Sequence, residues 1–507
     1  MSRKLLKSTA VVGGMTLISR VFGYLRDMVV AVSFGATGAT DAFFVAFRIP
    51  NFLRRLFAEG AFSQSFVPVF AEYKAQRGEV ALKDLVDHVA GMLGLVLSLV
   101  TAVGILAAPV VIAVFAPGYL DEPERFNLAT QMLRITFPYL LFISLTALAG
   151  GILNSYGRFG VPAFTPVLLN LSLIGATLWL APRMAEPVTG LAWGVFIAGA
   201  AQLAFQLPFL ARLGLLPRLR LDRTHAGVRK IMRLMLPAIL GSSVVQINLL
   251  FDTLIASFLA AGSISWLYYS DRFVELPLAL FGIAIATVIL PKLSDHHARN
   301  SAGEFGGTLD WALRLSTAIS LPAMVGLVFL SSPILAALIQ YREFGADDAY
   351  MSSLSLITLS LGLPAFILIK ILAPGFYSRQ DTKTPMAIGI RAMLANMGLN
   401  VLIVVPWAYS ELPGPHAGLT LATALSAYLN AGLLLRGLRR DVPGGRNCVE
   451  GKGRRPHHLE DRLSLTSVTV GHGGVRFDQG GDDCFGNFRM RFRRLVPMNM
   501  DSGSSPE

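Results

Sequence analysis

Predominantly apolar stretches recur along the chain from residue 9 to about residue 435. Each has the ~20 residues that a helix needs to cross ~30 Å of hydrocarbon. The expected fold is therefore all-α, a polytopic membrane protein. Of the 507 residues, 53% are hydrophobic and only 15% charged, against about 25% charged in soluble domains. Too little polar surface is left to cover a water-soluble body, which excludes an ordinary cytosolic enzyme, a disordered chain and a secreted disulfide scaffold. The only cysteines, Cys448 and Cys484, fall in the last stretch of sequence, so neither a disulfide framework nor a thiolate metal site organises the spanning part.

Twelve spans fit the hydropathy, at about 9–34, 41–73, 85–115, 126–156, 161–181, 190–212, 228–260, 265–292, 308–332, 349–377, 385–408 and 416–437. The start, Ser2-Arg3-Lys4-Leu5-Leu6-Lys7, resembles a signal peptide, but Arg20 and Arg26 interrupt the apolar stretch after it and no cleavage site is evident. It is expected to be retained as the first helix. Loops on the side of the amino terminus carry Lys74, Arg77, Lys83, Arg158, Arg212, Arg218, Arg220, Arg229, Lys230, Arg379 and Lys383 among others, whereas the opposite loops carry Arg125, Arg183 and Arg342. Short cytoplasmic loops are enriched in Lys and Arg. Both ends of the twelve-span body are thus expected in the cytoplasm, and the net charge of +12 is topological, with no nucleic acid partner. The outer loops are too short to hold an enzyme domain.

The longest inner connection, around Arg212 to Lys230, divides the body into two sets of six spans. The expected lobes are 1–215 and 216–440. They show weak likeness: Asn154-Ser155-Tyr156-Gly157-Arg158 before Pro162 parallels Phe376-Tyr377-Ser378-Arg379 before Pro385, and Phe66-Val67-Pro68 parallels Ile289-Leu290-Pro291. A parallel repeat around a central cleft is a common transporter plan.

The first two spans carry charges that lipid does not tolerate: Arg20, Arg26, Arg48, Arg54 and Arg55, with Asp27, Asp41 and Glu59. An Arg at mid-bilayer costs about 2.5–3.5 kcal/mol, so five facing lipid would cost on the order of 12–17 kcal/mol. They must face water, one another or a ligand. Asp41, Arg48, Arg55 and Glu59 follow one helical stripe, as do Arg20 and Asp27. Pro50 and Gly60 interrupt the second span, and phase alone leaves open whether Arg54 or Arg55 points inward. A second cluster, Tyr268-Tyr269-Ser270-Asp271-Arg272-Phe273-Val274-Glu275, lies early in the eighth span, while Asp252 and Lys370 are isolated charges inside the membrane.

Guanidinium groups clustered in a low-dielectric cleft match phosphate oxygens in geometry and charge. A cleft between helices that part laterally fits a lipid-linked phosphate better than a free nucleotide. There is no Gly-x-x-x-x-Gly-Lys phosphate loop, no His-Glu-x-x-His and no nucleophile elbow, so neither a catalytic residue nor a cofactor is expected. The adjacent His296 and His297 read as a solvated helix end, not a metal site. A drug or cation antiporter would want a carboxylate-rich cavity, and a membrane glycosyltransferase a sizeable outer loop. A flippase for another polyprenyl-linked oligosaccharide stays open, because arginines read the pyrophosphate and not the sugar.

Longer motifs sharpen this. The segment Ser19-Arg20-Val21-Phe22-Gly23-Tyr24-Leu25-Arg26-Asp27, the run from Thr40-Asp41 through Arg48-Ile49-Pro50-Asn51-Phe52-Leu53-Arg54-Arg55 to Pro68, Trp266-Leu267-Tyr268-Tyr269-Ser270-Asp271-Arg272, and Leu372 to Pro385 closely resemble the MurJ (MviN) family of lipid II flippases. The likeness covers about residues 4–440. It implies a member of the multidrug/oligosaccharidyl-lipid/polysaccharide exporter superfamily, two six-helix bundles around a central cavity in the bacterial cytoplasmic (inner) membrane. Such a protein moves undecaprenyl-pyrophosphate-linked muropeptide from the inner to the outer leaflet for peptidoglycan synthesis, with lipid II, membrane lipids and other cell-wall synthesis proteins as partners. The family's cavity residues map onto Arg20, Arg26, Asp41, Arg54 and Arg272, with Asn51 and Glu59 as supporting positions; the charge clusters themselves add Arg55, Asp271 and Glu275 in support. Some members also hold a monovalent cation in the second lobe; Asp381 lies in the matching motif, but no full ligand set can be matched and no ion site is assigned. The family usually continues into two further spans. Here residues 441–507 are Gly-, Arg- and Asp-rich without a run long enough to span, and they are expected to be a loosely structured tail, read as a frame change near Asp441 to Asn447 or else as a soluble extension.

Overall fold

The computed structural model describes the main chain of residues 3–55, 62–222, 224–410 and 412–441, and the side chains of those residues other than 3–10, 236–246 and 441. The expectations for Glu59 and for the tail from 442 fall outside the described residues. The described chain is predominantly helical, and no strand occurs among the described residues. The first half comprises α1 (Arg3–Phe34), α2 (Gly38–Arg54), α3 (Ser63–Gln76), α4 (Gly78–Leu106), α5 (Ala108–Phe115), α6 (Pro123–Thr136), α7 (Tyr139–Ser155), α8 (Gly160–Gly175) and α9 (Thr189–Ala211). The second comprises α10 (Ala226–Ala256), α11 (Ser263–Pro277), α12 (Ala284–Ala298), α13 (Ala302–Leu338), α14 (Ala346–Ser360), α15 (Leu363–Tyr377), α16 (Lys383–Ala408) and α17 (Ala417–Asp441). Residues up to Leu438 form one compact unit.

Eight helical spans are long and apolar enough to cross a membrane among the described residues, or nine if α14 and α15, bent by 41°, count as one. The protein is a multi-pass membrane protein. Eleven of the twelve stretches anticipated from hydropathy coincide with one helix or with two in close succession; the stretch 41–73 takes in α2 and α3, with 56–61 outside the described residues. α1 and α2, which carry Arg20, Arg26, Asp27, Asp41, Arg48 and Arg54, are not among the eight.

The breaks follow local chemistry. Pro138 separates α6 from α7, and Pro277 ends α11 ahead of a π-helical turn, Leu278–Ile283, that leads into α12. Proline lacks the N–H that would close the helical ladder, so the backbone widens or bends there. α2 starts cleanly because the Thr37 hydroxyl accepts from the Thr40 N–H at 3.3 Å. Close packing depends on small residues: a Cβ on Gly194 of α9 would stand 2.7 Å from that of Ala176, beyond the end of α8. That contact would not survive a larger side chain, in keeping with the small residues at membrane helix interfaces.

In the first half α1 packs on α8, α2 on α6, and α9 on both α7 and α8; in the second, α11 packs on α14, and α13 on α12, α14 and α15. Contact between halves runs through α2 with α11, and through α10, which lies against α3, α4 and α5 as well as α16. The seam between α2 and α11 is where the charges gather.

Candidate functional site

Let the near face be the one where α1 begins and the far face the one where it ends. At 1.5 Å per residue, Arg26 lies about 12 Å from the far end of α1, while Arg48 on α2 and Arg272 on α11 lie about 15 Å from theirs. All three reach the middle of a ~30 Å slab. Arg26 donates through Nε and a terminal nitrogen to Asp27 Oδ1 (2.9 and 2.6 Å), through Nη1 to Asn170 Oδ1 on α8 (3.0 Å), and through Nη2 to the Tyr268 hydroxyl on α11 (3.0 Å). Tyr268 in turn donates to Asp27 Oδ1 at 2.9 Å. Arg272 approaches the other oxygen of Asp27 at 3.7 Å, binds Glu275 at 2.8 Å and lies over the Tyr268 ring. Asp27 is thus shared by an arginine from each half of the chain.

Arg48 donates to Thr253 Oγ1 of α10 at 2.5 Å and lies in the fields of Asp271 and Asp252. Asp271 forms no salt bridge with Arg272; it faces Arg48 and Arg55 as well. The stripe Asp41, Arg48 and Arg55 therefore faces the second half along its described length. Arg54 turns back on its own helix and donates to Asn51 Oδ1 at 2.8 Å. Arg20 is exposed, without a hydrogen bond or ion pair among the described residues. By helical rise, Arg20 and Arg54 lie ~20–25 Å from the far ends of their helices, a tier nearer the near face than Arg26.

Asp41 occupies a different level. It is wholly buried and accepts from Gly262 N (2.8 Å), Ser265 N (2.8 Å), Ser265 Oγ (2.6 Å) and Arg125 (2.8 Å). A carboxylate at the first turn of α11 satisfies helical N–H groups that have no partner within the helix, and it complements the helix dipole. The turn requires glycine: Gly262 has φ +95°, and a Cβ there would meet Ala36 O at 2.6 Å. Two further ties close the far face. Asp348 accepts from Trp266 Nε1 (3.0 Å) and Ala36 N (3.4 Å), and Glu343 N donates to Val32 O at 3.4 Å.

Sequence reasoning missed several residues of this arrangement, Thr253, Ser265 and Asp348 among them, and two more are instructive. Arg125 appeared only as an outer-loop exception to the charge rule, and Asn170 not at all, although a lone amide in the apolar run Pro166-Val167-Leu168-Leu169-Asn170 was a usable signal. A further polar ladder surrounds the isolated Asp252, which accepts from Asn400 (2.7 Å) and Asn248 (3.4 Å), while Asn396 donates to Asn248 (2.8 Å). Their paired four-residue spacing aligns α10 with α16. Asp381, by contrast, accepts from the main-chain N–H groups of Lys383 and Thr384 at 3.0 Å. It caps α16.

A family model described as lipid II flippase MurJ matches residues 30–453. The chain belongs to the MurJ family. Among MurJ relatives, a probable lipid II flippase of Vibrio cholerae is 51% identical over 444 residues, covering 86% of this chain and 83% of that one. A lipid II flippase MurJ of Burkholderia cenocepacia is 44% identical over 440 residues, 86% and 84% of the two chains. A solved lipid II flippase MurJ in an inward closed conformation superposes with a TM-score of 0.72 at 28% identity, over 85% and 87% of the chains. An inward-facing multidrug transporter of the MOP superfamily superposes at 0.66 with 13% identity, which shows a shared fold. The family is one of transporters.

Proposed function

We propose that this chain moves lipid II, an undecaprenyl-pyrophosphate-linked muropeptide, from the inner to the outer leaflet by alternating access of a central cavity. The observation that carries the reading is Asp27, held at mid-depth between Arg26 of the first half and Arg272 of the second. A pyrophosphate has the charge and the paired oxygens to take that place, and no hydrocarbon-facing role explains the arrangement. Asp271 and Glu275 keep contact with solvent although Asp271 is deep in the bundle, which fits residues lining a wet chamber. Family membership supplies the lipid II assignment.

The near face is cytoplasmic on this reading, because Lys and Arg concentrate in its loops, and the membrane is the bacterial inner membrane. The lobes are 1–215 and 216–440. With the far face closed, Arg20, Arg54 and Arg55 form a basic approach from the cytoplasm, and Arg26 and Arg272 receive the headgroup. Asp41 acts at the gate: opening outward requires it to leave Gly262, Ser265 and Arg125. Substrate shifts the equilibrium only if it binds the two states differently, and a dianion bridging both lobes meets that condition. No bond is broken in the cycle.

The test is a leaflet-accessibility assay of lipid II in cells that depend on this chain. Wild type is expected to expose lipid II at the outer leaflet, and Arg26→Ala and Arg272→Ala to block exposure while still inserting. Exposure at wild-type rate with both substitutions present would overturn the reading.

A further inference from the structure

The near face holds a second cluster, distinct from the charged seam. Between α9 and α10, residues 215–222 run as a non-helical strap along α4. Asp87 pins it there, accepting from Arg218 N at 2.8 Å through Oδ1 and from Arg220 N at 3.3 Å through its main-chain oxygen. Gly91 permits the approach, since a Cβ would stand 2.1 Å from Arg220 O. The strap delivers His225, the residue before α10, to one side of α4, where Asp84 and His88 lie one turn apart. The Asp84 carboxylate is 3.4 Å from His88 Nδ1 and 3.4 Å from His225 Nε2, and the two imidazoles stack with centroids 4.7 Å apart. Each residue offers a donor atom, and the three lie within 4.8 Å of one another.

We propose that Asp84, His88 and His225 bind a transition-metal dication of the Zn²⁺ class, and that the bound ion staples the strap between the halves to α4. His88 Nδ1 is 2.8 Å from Asp84 O, a contact within one helical turn that rotation of the ring releases, freeing a nitrogen lone pair for the ion. His225 Nδ1 is buried without a partner among the described residues. Two neutral imidazoles and one carboxylate are the borderline donor set that zinc takes with an open fourth position, whereas hard cations prefer oxygen throughout. Zinc–ligand distances of about 2.0–2.2 Å place donors ~3.3–3.6 Å apart around one ion; rotation of one stacked ring supplies the remaining ~1 Å. Arg220 now pairs with Asp84 at 3.1 Å, but both are well exposed, and such a pair yields at small cost. Asp222 adds negative potential beside the site; hydrogen bonds from Thr224 hold its carboxyl below the usual range.

The proposal stands apart from the flippase reading, and its test needs no transport. The full chain is purified in detergent, freed of any affinity tag, with Cys448→Ser and Cys484→Ser to remove thiols. It is titrated with Co²⁺ for its visible spectrum, and with Zn²⁺ against a chromogenic chelator. One equivalent with a low-coordinate Co²⁺ band is expected, and His88→Gln and His225→Gln are each expected to weaken binding at least about tenfold, with His297→Ala unchanged as control. Both variants keep a polar side chain, and matching elution volume and melting confirm that each is folded. Binding that is equal in the parent and both variants, or absent from the parent, overturns the proposal.

Discussion

Arg125 donates to Asp41 at 2.8 Å inside a site that leaves the two side chains only 5% and 0% exposed. Arg125 belongs to α6 and Asp41 to α2, yet the same carboxylate also receives the first turn of α11. One buried ion pair therefore sets the end of a helix in the other half. Removing one partner of such a pair leaves an uncompensated charge, at a cost of about 3–5 kcal/mol. The penalty falls on the closed far face.

Arg125→Ala is expected to destabilise that closure and raise solvent accessibility at the start of α11. Hydrogen exchange at Ser265 and Trp266 reads this, with faster exchange than in wild type as the expected result. The double variant with Asp41→Ala should lose less than the sum of the two single losses, since each single change already abolishes the pair. Strict additivity would sink the coupling.

A covalent lock is available at the same face. A Cβ on Gly38 would stand 3.7 Å from that of Ala261, within the ~3.5–4.5 Å range of disulfides. With the natural cysteines replaced, Gly38→Cys and Ala261→Cys are expected to crosslink on oxidation and halt lipid II exposure, which reductant restores. Full activity with the bond quantitatively formed would show that the far face need not part there.

Much of this was legible in the sequence because hydropathy reports helices that must face lipid, and a seven-residue spacing reports a common stripe. Asp41, Arg48 and Arg55 do face the second half along α2. Hydropathy does not report direction, so the bend between α14 and α15 and the π-helical turn after Pro277 were merged into straight spans. Arg125 was unreadable for a different reason. Its partner is far away in sequence, and a contact between distant residues leaves no local pattern. Arg54 shows the limit of phase: it donates to Asn51, a neighbour on its own helix, and Pro50, expected to interrupt the span, lies inside α2, which runs on to Arg54.

Asp381 offers a pH test outside the membrane. Hydrogen bonds from Thr384 and Lys383 hold its carboxyl below the usual carboxylate range. A depressed folded-state pKa means stabilisation that is fully present above the unfolded value of about 3.9 and is lost as pH falls through the folded value. Asp381→Ala should therefore fray the start of α16 at pH 7 by ~0.5–1 kcal/mol, read as faster exchange at Lys383 and Thr384. The difference from wild type should shrink toward pH 3. A difference that persists below that range would mean the cap does not depend on charge.

Asn170 is the positioning residue for Arg26. Its amide nitrogen donates to Ser19 O at 3.0 Å, which fixes the oxygen toward Arg26 Nη1, also at 3.0 Å. Asn170→Leu leaves that buried guanidinium nitrogen without its acceptor, a cost of about 1–3 kcal/mol. Because the loss falls on the orientation of the group that meets the pyrophosphate, flipping is expected to slow about tenfold to a hundredfold. Asn170→Asp separates positioning from simple packing. The carboxylate still accepts from Arg26 but cannot donate to Ser19 O, so melting should fall less than in Asn170→Leu, and the added charge competes with the substrate dianion for Arg26 and should also slow flipping. If Asn170→Asp flips at the wild-type rate, Arg26 does not meet the headgroup in the conformation seen here.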